Sequence, residues 1–234
     1  MESSLVGATL PHVHKSQVIC SSLMLMLGLV ACSDANQSAN PGDGDASVGT
    51  ATSCKYLADQ SDPAKPVDPP PETNVPNQGT VEATLKFTAG DVTLRLDRAK
   101  APCTVNNFLA LAQQEYFDDT SCHRLVDHGI FVLQCGDPTG TGRGGPGYTF
   151  ADETTKSLTY TSGVVAMANR GPDTNGSQFF LVFDDSDLPP DYAVFATMDD
   201  AGLDVIRGIA AAGVSPDGGE APNAEARITG VILG

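Results

Sequence analysis

The chain has 234 residues, which suits one ordinary domain with appended segments and excludes a large multidomain protein. Its 24 glycines and 16 prolines argue against an all-helical bundle and favour a loop-rich fold with β structure. Thirteen lysines and arginines against 29 aspartates and glutamates leave a formal net charge of −16, which argues against nucleic acid binding because phosphates would be repelled.

The first 32 residues resemble a bacterial export signal. Lys15 precedes an apolar run over residues 18–30, which is shorter than the roughly 20 residues that a helix needs to cross a membrane. The run ends in Leu29-Val30-Ala31-Cys32, which resembles a lipobox, where the cysteine is lipidated and becomes the new N-terminus. We therefore expect residues 1–31 to be removed and Cys32 to anchor the protein to a membrane of the cell envelope, outside the cytoplasm. The alternative is a buried N-terminal helix with an incidental cysteine.

The next segment, residues 32–79, has the composition of a linker. After Cys32 it holds seven prolines, including Pro69-Pro70-Pro71, and almost no large apolar side chains apart from Tyr56 and Leu57. Such a segment buries too little apolar surface to offset its ordering entropy, so we predict a disordered spacer. Cys54 is the exception, because an oxidising compartment would allow its thiol to be tied to the domain.

A folded domain is predicted over residues 80–234. Apolar and polar residues alternate over 81–87 and 92–96 around Ala89-Gly90, which predicts a β-hairpin. Pro102 opens a helix whose apolar residues recur with helical spacing up to Ala112, and a second helix is predicted over 203–212, before Gly213. Further strands are predicted around 126 and over 130–134, 163–168, 178–183, 193–197 and 228–233. Many short strands and two helices indicate a barrel or sandwich with helical lids.

Three apparent functional motifs in this domain are better explained as ordinary structure. The glycines from Gly140 to Gly145 match a dinucleotide-binding spacing, but Pro146-Gly147 follows where a helix would have to begin, so we predict a loop. Cys122 and His123 are adjacent in a predicted strand and point to opposite faces, which argues against a metal site and against a cysteine–histidine nucleophile.

Four other stretches resemble the cyclophilins. They are Cys122-His123-Arg124-Leu125-Val126, Phe131-Val132-Leu133-Gln134-Cys135-Gly136-Asp137-Pro138, the segment 140–148, and residues 167–180 with their Asn-Gly-Ser-Gln-Phe-Phe run. The resemblance runs in register over about residues 80–234. It implies a mainly β fold, a closed eight-stranded antiparallel barrel capped by two α-helices, and peptidyl-prolyl cis-trans isomerase activity on proline-containing polypeptides without a cofactor or metal.

The resemblance assigns Arg124 as the catalytic residue. Rotation of an X-Pro bond loses amide resonance, a barrier of about 18–20 kcal/mol, and an always-charged guanidinium can stabilise the twisted amide. The positions that match the family's substrate-binding residues are Phe131, Val132, Gln134, Gly142, Ala168, Asn169, Arg170, Gln178, Phe180, Leu188 and Tyr192. Val132 and Leu188 are equally the kind of side chain that a barrel core contains.

The chain also departs from the family pattern. It has no tryptophan, and Asp187 stands where many cyclophilins carry the tryptophan that contacts cyclosporin, so we do not carry cyclosporin sensitivity over to it. Tyr192 replaces a pocket histidine, and Arg170 replaces a small residue. The acidic residues from Asp184 to Asp191 would favour basic residues near the target proline, or are simply a solvated acidic loop.

Four cysteines remain besides Cys20 and Cys32, and four cysteines allow three pairings. Cys122 and Cys135 flank a predicted antiparallel strand pair, so we favour that disulfide together with Cys54–Cys103. Free buried thiols are the alternative.

Taken together, the sequence predicts a monomeric, lipid-anchored isomerase of extracytoplasmic proteins. A catalytically weak module that binds proline-containing segments, as a chaperone or scaffold, and a structural envelope lipoprotein are the competing classes.

Overall fold

The computed structural model describes residues 50–217 and 219–234, so the predicted export signal and the lipidation site at Cys32 lie outside the described residues. Within the described part of the chain, no helix is both long and apolar enough to cross a membrane. The elements in chain order are β1 (Ala51–Thr52), β2 (Leu57–Ala58), β3 (Val75–Pro76), β4 (Thr80–Phe87), β5 (Gly90–Asp97), α1 (Pro102–Gln113), β6 (Thr120–Ser121), β7 (Arg124–His128), β8 (Ile130–Cys135), β9 (Tyr148–Thr149), β10 (Val164–Met167), β11 (Phe179–Val182), β12 (Val194–Met198), α2 (Asp200–Ala211) and β13 (Arg227–Leu233).

The predicted hairpin is formed by β4 and β5. The two strands pair in register from Thr80 opposite Asp97 to Phe87 opposite Gly90. Their burial alternates as the sequence does, because successive side chains of a strand point to opposite faces. Gly90 lies at the turn with a φ of 144°, and a Cβ there would lie 2.8 Å from a methyl group of Val205 on α2. Glycine is therefore required where the hairpin meets this helix.

The main sheet contains nine strands in the order β6-β13-β4-β5-β12-β10-β11-β8-β7, and all of its neighbours are antiparallel. The mainly β, antiparallel fold with two helices is confirmed. The closed eight-stranded barrel is corrected to a curled nine-strand sheet that forms a half-barrel. The two end strands of the order, β6 and β7, are separated in the chain only by Cys122 and His123, so one bent segment contacts both ends of the sheet.

The two helices pack against this sheet. Helix α1 begins at Pro102, and the carboxylate of Glu153 accepts hydrogen bonds from the backbone N–H groups of Cys103 and Thr104 at 2.9 and 2.7 Å. This carboxylate satisfies two donors at the helix N-terminus that have no partner within the helix. The ring of Phe108 lies 5.2 to 5.7 Å from the rings of Phe117, Phe179 and Phe195, which fixes α1 to the main core.

Helix α2 begins three residues before the predicted position. The side chain of Asp199 accepts a hydrogen bond from the N–H of Gly202 at 2.8 Å and caps the helix, a role typical of aspartate. A Cβ at Gly202 would lie 2.8 Å from the Val92 side chain. The glycine therefore lets α2 lie directly against β5.

The described part of the predicted linker is ordered, which corrects the expectation of a disordered spacer there. Residues 50–79, called the strap below, form β1 and β3 with each other and pair β2 with β9 of the domain. Cys54, Tyr56 and Val75 are buried in the main core. Tyr56 packs 5.6 and 5.5 Å from the rings of Tyr148 and Phe150, which explains how a segment without its own core is held.

The structure contains two disulfides with the pairing that the sequence favoured. Cys54–Cys103 joins the strap to α1 with 5.5 Å between the Cα atoms, and Cys122–Cys135 joins the bent segment to β8 with 4.0 Å between them. Neither Cys122 nor Cys135 is therefore a free thiol that could bind a metal or act as a nucleophile.

Candidate active site

The β-sheet register places the most important predicted residues in one row. Arg124 on β7 lies opposite Gln134 on β8, Gln134 lies opposite Phe180 on β11, and Phe180 lies opposite Ala166 on β10. Residues directly opposite each other in neighbouring strands share a face of the sheet. The row therefore contains neighbouring cationic, amide and aromatic side chains. Its first and third members, Arg124 and Phe180, are 56 positions apart in the chain.

Phe180 and Ala166 of this row belong to a second apolar cluster that is separate from the main core. The cluster is built around Val132, Tyr160, Ala166, Phe180, Val182 and Val194. Its strands β8, β10 and β11 are thus buried on both faces, one against the main core and one against this cluster. The site lies on the sheet face opposite the main core.

A pocket opens at the edge of the second cluster. Its lining residues are Arg124, Ile130, Val132, Gln134, Ala168, Asn169, Phe180, Leu188 and Tyr192. Eight of these nine were predicted from the sequence, and Ile130 was not. The pocket joins aliphatic and aromatic side chains to one guanidinium and two amides, a composition that suits an apolar ring followed by a polar backbone.

The aromatic wall of this pocket is fixed by Tyr160 behind it. The rings of Phe180 and Tyr192 meet edge to face at 5.5 Å. The hydroxyl of Tyr160 donates to the carbonyl of Tyr192 and accepts from its N–H, both at 2.9 Å. Burial raises the pKa of Tyr160, so this hydroxyl stays protonated and can play both parts at neutral pH.

The amide side chains are held by a chain of hydrogen bonds. Gln134 Nε2 donates to Gln178 Oε1 at 2.8 Å, and Gln178 Nε2 donates to the carbonyl of Gly144 at 2.9 Å. These bonds set the orientation of both amides, and the Gln134 Oε1 atom has no hydrogen-bond partner among the described residues. Asn169 Nδ2 donates to the carbonyl of Asp191 at 2.9 Å and so connects β10 to the segment that carries Tyr192.

A second pocket, lined mostly by polar residues and glycines, adjoins the first and shares Gln134, Ala168 and Asn169 with it. Gly142, Arg170 and Gln178, three further predicted substrate-binding residues, line this second pocket. The strap contributes Asp59 to its wall. Because the two pockets share residues, they together form one groove.

Phe131 is the predicted substrate-binding residue that the structure places elsewhere. Val132 and Gln134 face the pocket, and successive side chains of a strand alternate between its faces, so Phe131 faces away from the pocket. Its ring lies 5.9 Å from Phe183 and packs against the main core. Ile130 takes the place expected for Phe131 in the pocket wall.

The loop from Asp137 to Gly144 forms one side of the groove, and no helix follows it, as predicted. The fully buried Asp137 accepts hydrogen bonds from the N–H of Thr139 at 2.7 Å and from those of Thr141 and Gly144, each at 3.1 Å. Burial raises the pKa of Asp137, but these hydrogen bonds outweigh it and hold the pKa below the usual range. A Cβ at Gly144 would lie 2.0 Å from Asp137 Oδ1, so only glycine fits there.

His123 lies behind the groove, next to Arg124 in the chain. Both of its ring nitrogens are buried and have no hydrogen-bond partner among the described residues. Burial lowers its pKa, so it is neutral at pH 7. No cluster of three or more histidine, cysteine or acidic side chains suited to a metal ion occurs in residues 50–217 or 219–234.

Arg124 has one side-chain partner among the described residues, and no sequence pattern indicated it. Arg124 Nε donates to Glu220 Oε2 at 3.0 Å, and about a third of the arginine side chain is exposed. Glu220 lies in the loop between α2 and β13, 96 positions away.

Comparison with known proteins agrees with this geometry. Residues 81–232 match the family described as cyclophilin type peptidyl-prolyl cis-trans isomerase/CLD. The chain is 43% identical over 192 residues to a probable peptidyl-prolyl cis-trans isomerase B of Mycobacterium leprae, covering 76% of this chain and 65% of that one. A Mycobacterium tuberculosis relative with the same description is 42% identical over 202 residues, covering 80% and 66%. The chain thus spans slightly less than two thirds of the length of these relatives.

Solved structures give the same result. A crystal structure of a Cryptosporidium parvum cyclophilin type peptidyl-prolyl cis-trans isomerase is 31% identical, with a TM-score of 0.60, and the match covers 67% of this chain and 98% of that one. A second structure of that protein, determined in the presence of the dipeptide Ala-Pro, matches with a TM-score of 0.58 at 31% identity, covering 65% of this chain and 98% of that one.

Proposed function

The chain belongs to the cyclophilin-type peptidyl-prolyl cis-trans isomerase family, and from that premise we propose that it accelerates the rotation of X-Pro bonds in extracytoplasmic proteins. The observation that carries the proposal is the row of Arg124, Gln134 and Phe180 across three strands, at the edge of an apolar pocket. The Cryptosporidium parvum structure determined in the presence of Ala-Pro supports a proline-containing ligand for this chain.

The proposed mechanism requires no bond to be broken. The proline ring enters the pocket beside Phe180, Val132 and Leu188, and the amides hold the backbone on either side of it. As the amide twists, its nitrogen loses resonance and becomes a hydrogen-bond acceptor, which the Arg124 guanidinium meets with a fixed fork of donors. The surrounding apolar side chains exclude water and strengthen this interaction in the twisted state, where it lowers the barrier.

The experiment that tests this function is NMR exchange spectroscopy on a short X-Pro peptide, with the purified protein and with Arg124→Ala. Uncatalysed exchange takes tens to hundreds of seconds, so catalysed exchange is easily distinguished. Acceleration that collapses in Arg124→Ala supports an isomerase. Peptide binding without any acceleration would leave a module that only holds proline-containing segments, and the isomerase proposal would be abandoned.

The extracytoplasmic, lipid-anchored location is part of the same proposal. Two disulfides within the described residues suit an oxidising compartment, where such bonds persist. The lipobox-like sequence ending at Cys32 supplies the anchor. Several acyl chains on one cysteine would hold the protein firmly, whereas a single chain binds a membrane only weakly.

Metabolic labelling with a radioactive fatty acid tests the anchor. We expect label on the wild-type chain in the membrane fraction and no label on Cys32→Ser, with Cys20→Ser, a change before the predicted cleavage site, as the control that keeps the anchor. An unlabelled wild-type chain recovered from the cytoplasm would refute the location and leave the isomerase activity to be judged separately.

A further inference from the structure

The loop between α2 and β13 lies directly against the proposed catalytic residue. Its Glu220 is the one side chain within the described residues that bonds to Arg124, through Oε2 and the guanidinium Nε at 3.0 Å. The sequence resemblance assigned no role to this loop, and Glu220 does not line the pocket itself.

The backbone fixes Glu220 beside Arg124. The N–H of Leu125, the next residue after Arg124, donates to the carbonyl of Glu220 at 2.6 Å. Two positions before Arg124, the N–H of Cys122 donates to the carbonyl of Ala226 at 2.8 Å. The loop is therefore attached to the bent segment on both sides of Arg124, and the carboxylate does not depend on a free side chain finding its partner.

The atom that Glu220 holds determines what remains for a ligand. A guanidinium presents donors along two edges, and the carboxylate occupies only Nε. Both Nη groups of Arg124 have no hydrogen-bond partner in the described part of the chain, and the side chain borders the pocket. An arginine anchored at Nε loses freedom of rotation while its outer fork remains available.

We propose that Glu220 is a positioning residue, which holds the guanidinium of Arg124 so that its Nη groups meet the twisted amide. The proposal rests on the proposed isomerase function. Holding the donors in place before the reaction avoids an ordering cost in the transition state. The carboxylate also partly neutralises the positive charge of Arg124. If that were its main effect, removing the carboxylate would speed catalysis, whereas loss of positioning would slow it.

The kinetic test compares Glu220→Ala, Glu220→Gln and the control Glu225→Gln. Glu225 is an exposed carboxylate of the same loop, without an ion pair among the described residues. For Glu220→Ala we expect catalysed exchange of an X-Pro peptide to slow by about two- to fivefold, the upper part of the range for losing an exposed ion pair, with unchanged peptide affinity. Glu220→Gln should keep part of the rate, because its amide oxygen still accepts from Nε.

An NMR measurement on the same proteins distinguishes failure of the positioning role of Glu220 from failure of the isomerase function. The Nε–H signal of Arg124 should be protected from solvent exchange in the wild type, partly protected in Glu220→Gln, and lost in Glu220→Ala. Unchanged or faster catalysis by Glu220→Ala, or an Nε–H signal indifferent to the substitution, would overturn the positioning role. An inactive wild type with a protected Nε–H would refute the isomerase function while leaving the contact between Glu220 and Arg124 established.

Discussion

At the residue scale, the position of Arg124 at the edge of the apolar cluster is what makes it useful. About a third of its side chain is exposed, so the charge is not fully desolvated, while Phe180 and Val132 exclude water from one side of it. A fully buried charge would cost several kcal/mol, and a fully exposed one would act weakly through water. The intermediate position gives a strong local field without the full cost of burial.

We predict that Arg124→Lys reduces kcat/KM for an X-Pro peptide about 10- to 100-fold, although the charge is kept. Lysine offers a compact ammonium, which replaces neither the rigid fork nor the Nε contact with Glu220. Arg95→Lys, an exposed exchange on β5 far from the row, is the matched control. Full activity of Arg124→Lys would mean that positive charge alone suffices.

A second residue-scale prediction concerns Asp137 and the groove loop. Asp137→Asn places an amide N–H₂ among donors, so we expect a loss of about 2 to 4 kcal/mol in the free energy of unfolding by urea. Because the folded pKa lies below the ordinary value of 3.8, the carboxylate's contribution is present above that pH and is lost as pH falls through the folded pKa.

The difference in stability between wild type and Asp137→Asn should therefore be constant from pH 7 down to about that value and shrink below it. Asp62→Asn, an exposed exchange in the strap, should show no such difference. A gap that widens on acidification would contradict the role given to the hydrogen bonds of Asp137.

The sequence motifs grouped side chains whose neighbours lie on adjacent strands. The motifs placed Arg124, Gln134 and Phe180 in one site, and the strand register brings them together. They misplaced Phe131, because the exchange with Ile130 depends on which face of β8 each residue takes. They missed Glu220, since a contact over 96 positions from a loop without a motif leaves no local pattern.

At the element scale, the strap shows why composition alone predicted disorder. Low apolar content means that the strap cannot form a core of its own, and that part of the argument holds. Its order comes from the surface of the domain: a disulfide to α1, a strand pair with β9 and the burial of Tyr56. Helices and long strands, by contrast, were predicted within a few residues because their periodicity is local.

We predict that the strap depends on its disulfide. The bond between Cys54 and Cys103 spans 49 positions, for which loop-closure entropy gives about 4 kcal/mol of stabilisation. The double variant Cys54→Ser/Cys103→Ser should lose a large part of this in urea unfolding under non-reducing conditions. The strap should then be cleaved first in limited proteolysis.

The second disulfide provides the comparison for this prediction. Cys122→Ser/Cys135→Ser opens a loop of 13 positions, worth about 3 kcal/mol on the same basis, and should leave the strap resistant to protease. Equal stability of the Cys54→Ser/Cys103→Ser variant and the wild type would mean that hydrogen bonds and Tyr56 hold the strap without the bond.

At the scale of the whole molecule, the curled sheet separates stability from function. The main core lies on one face with α1 and the strap, while the pocket lies on the other face of β8, β10 and β11. Substitutions at the pocket edge can therefore change ligand contacts without opening the main core. The segment from β6 to β7, which carries Cys122, His123 and Arg124, connects the two end strands of the sheet order, so Arg124 lies where these strands meet in the chain.

The overall charge of −16 is the second property of the whole molecule that bears on the pocket, because acidic residues also lie beside it. The segment that carries Leu188 and Tyr192 also carries Asp184, Asp187 and Asp191, all exposed.

We predict that a lysine-bearing X-Pro peptide is turned over with a kcat/KM about threefold above that of its glutamate counterpart at low ionic strength, because the acidic field raises its encounter rate. The preference should fade in about 0.5 M salt, which screens exposed charges within a few ångströms. A variant with these three aspartates changed to asparagine should lose the preference and keep its rate on an uncharged peptide. Equal rates for both peptides at low salt would mean that the acidic segment only solvates the surface, and the residues flanking the target proline would then be selected by groove shape alone.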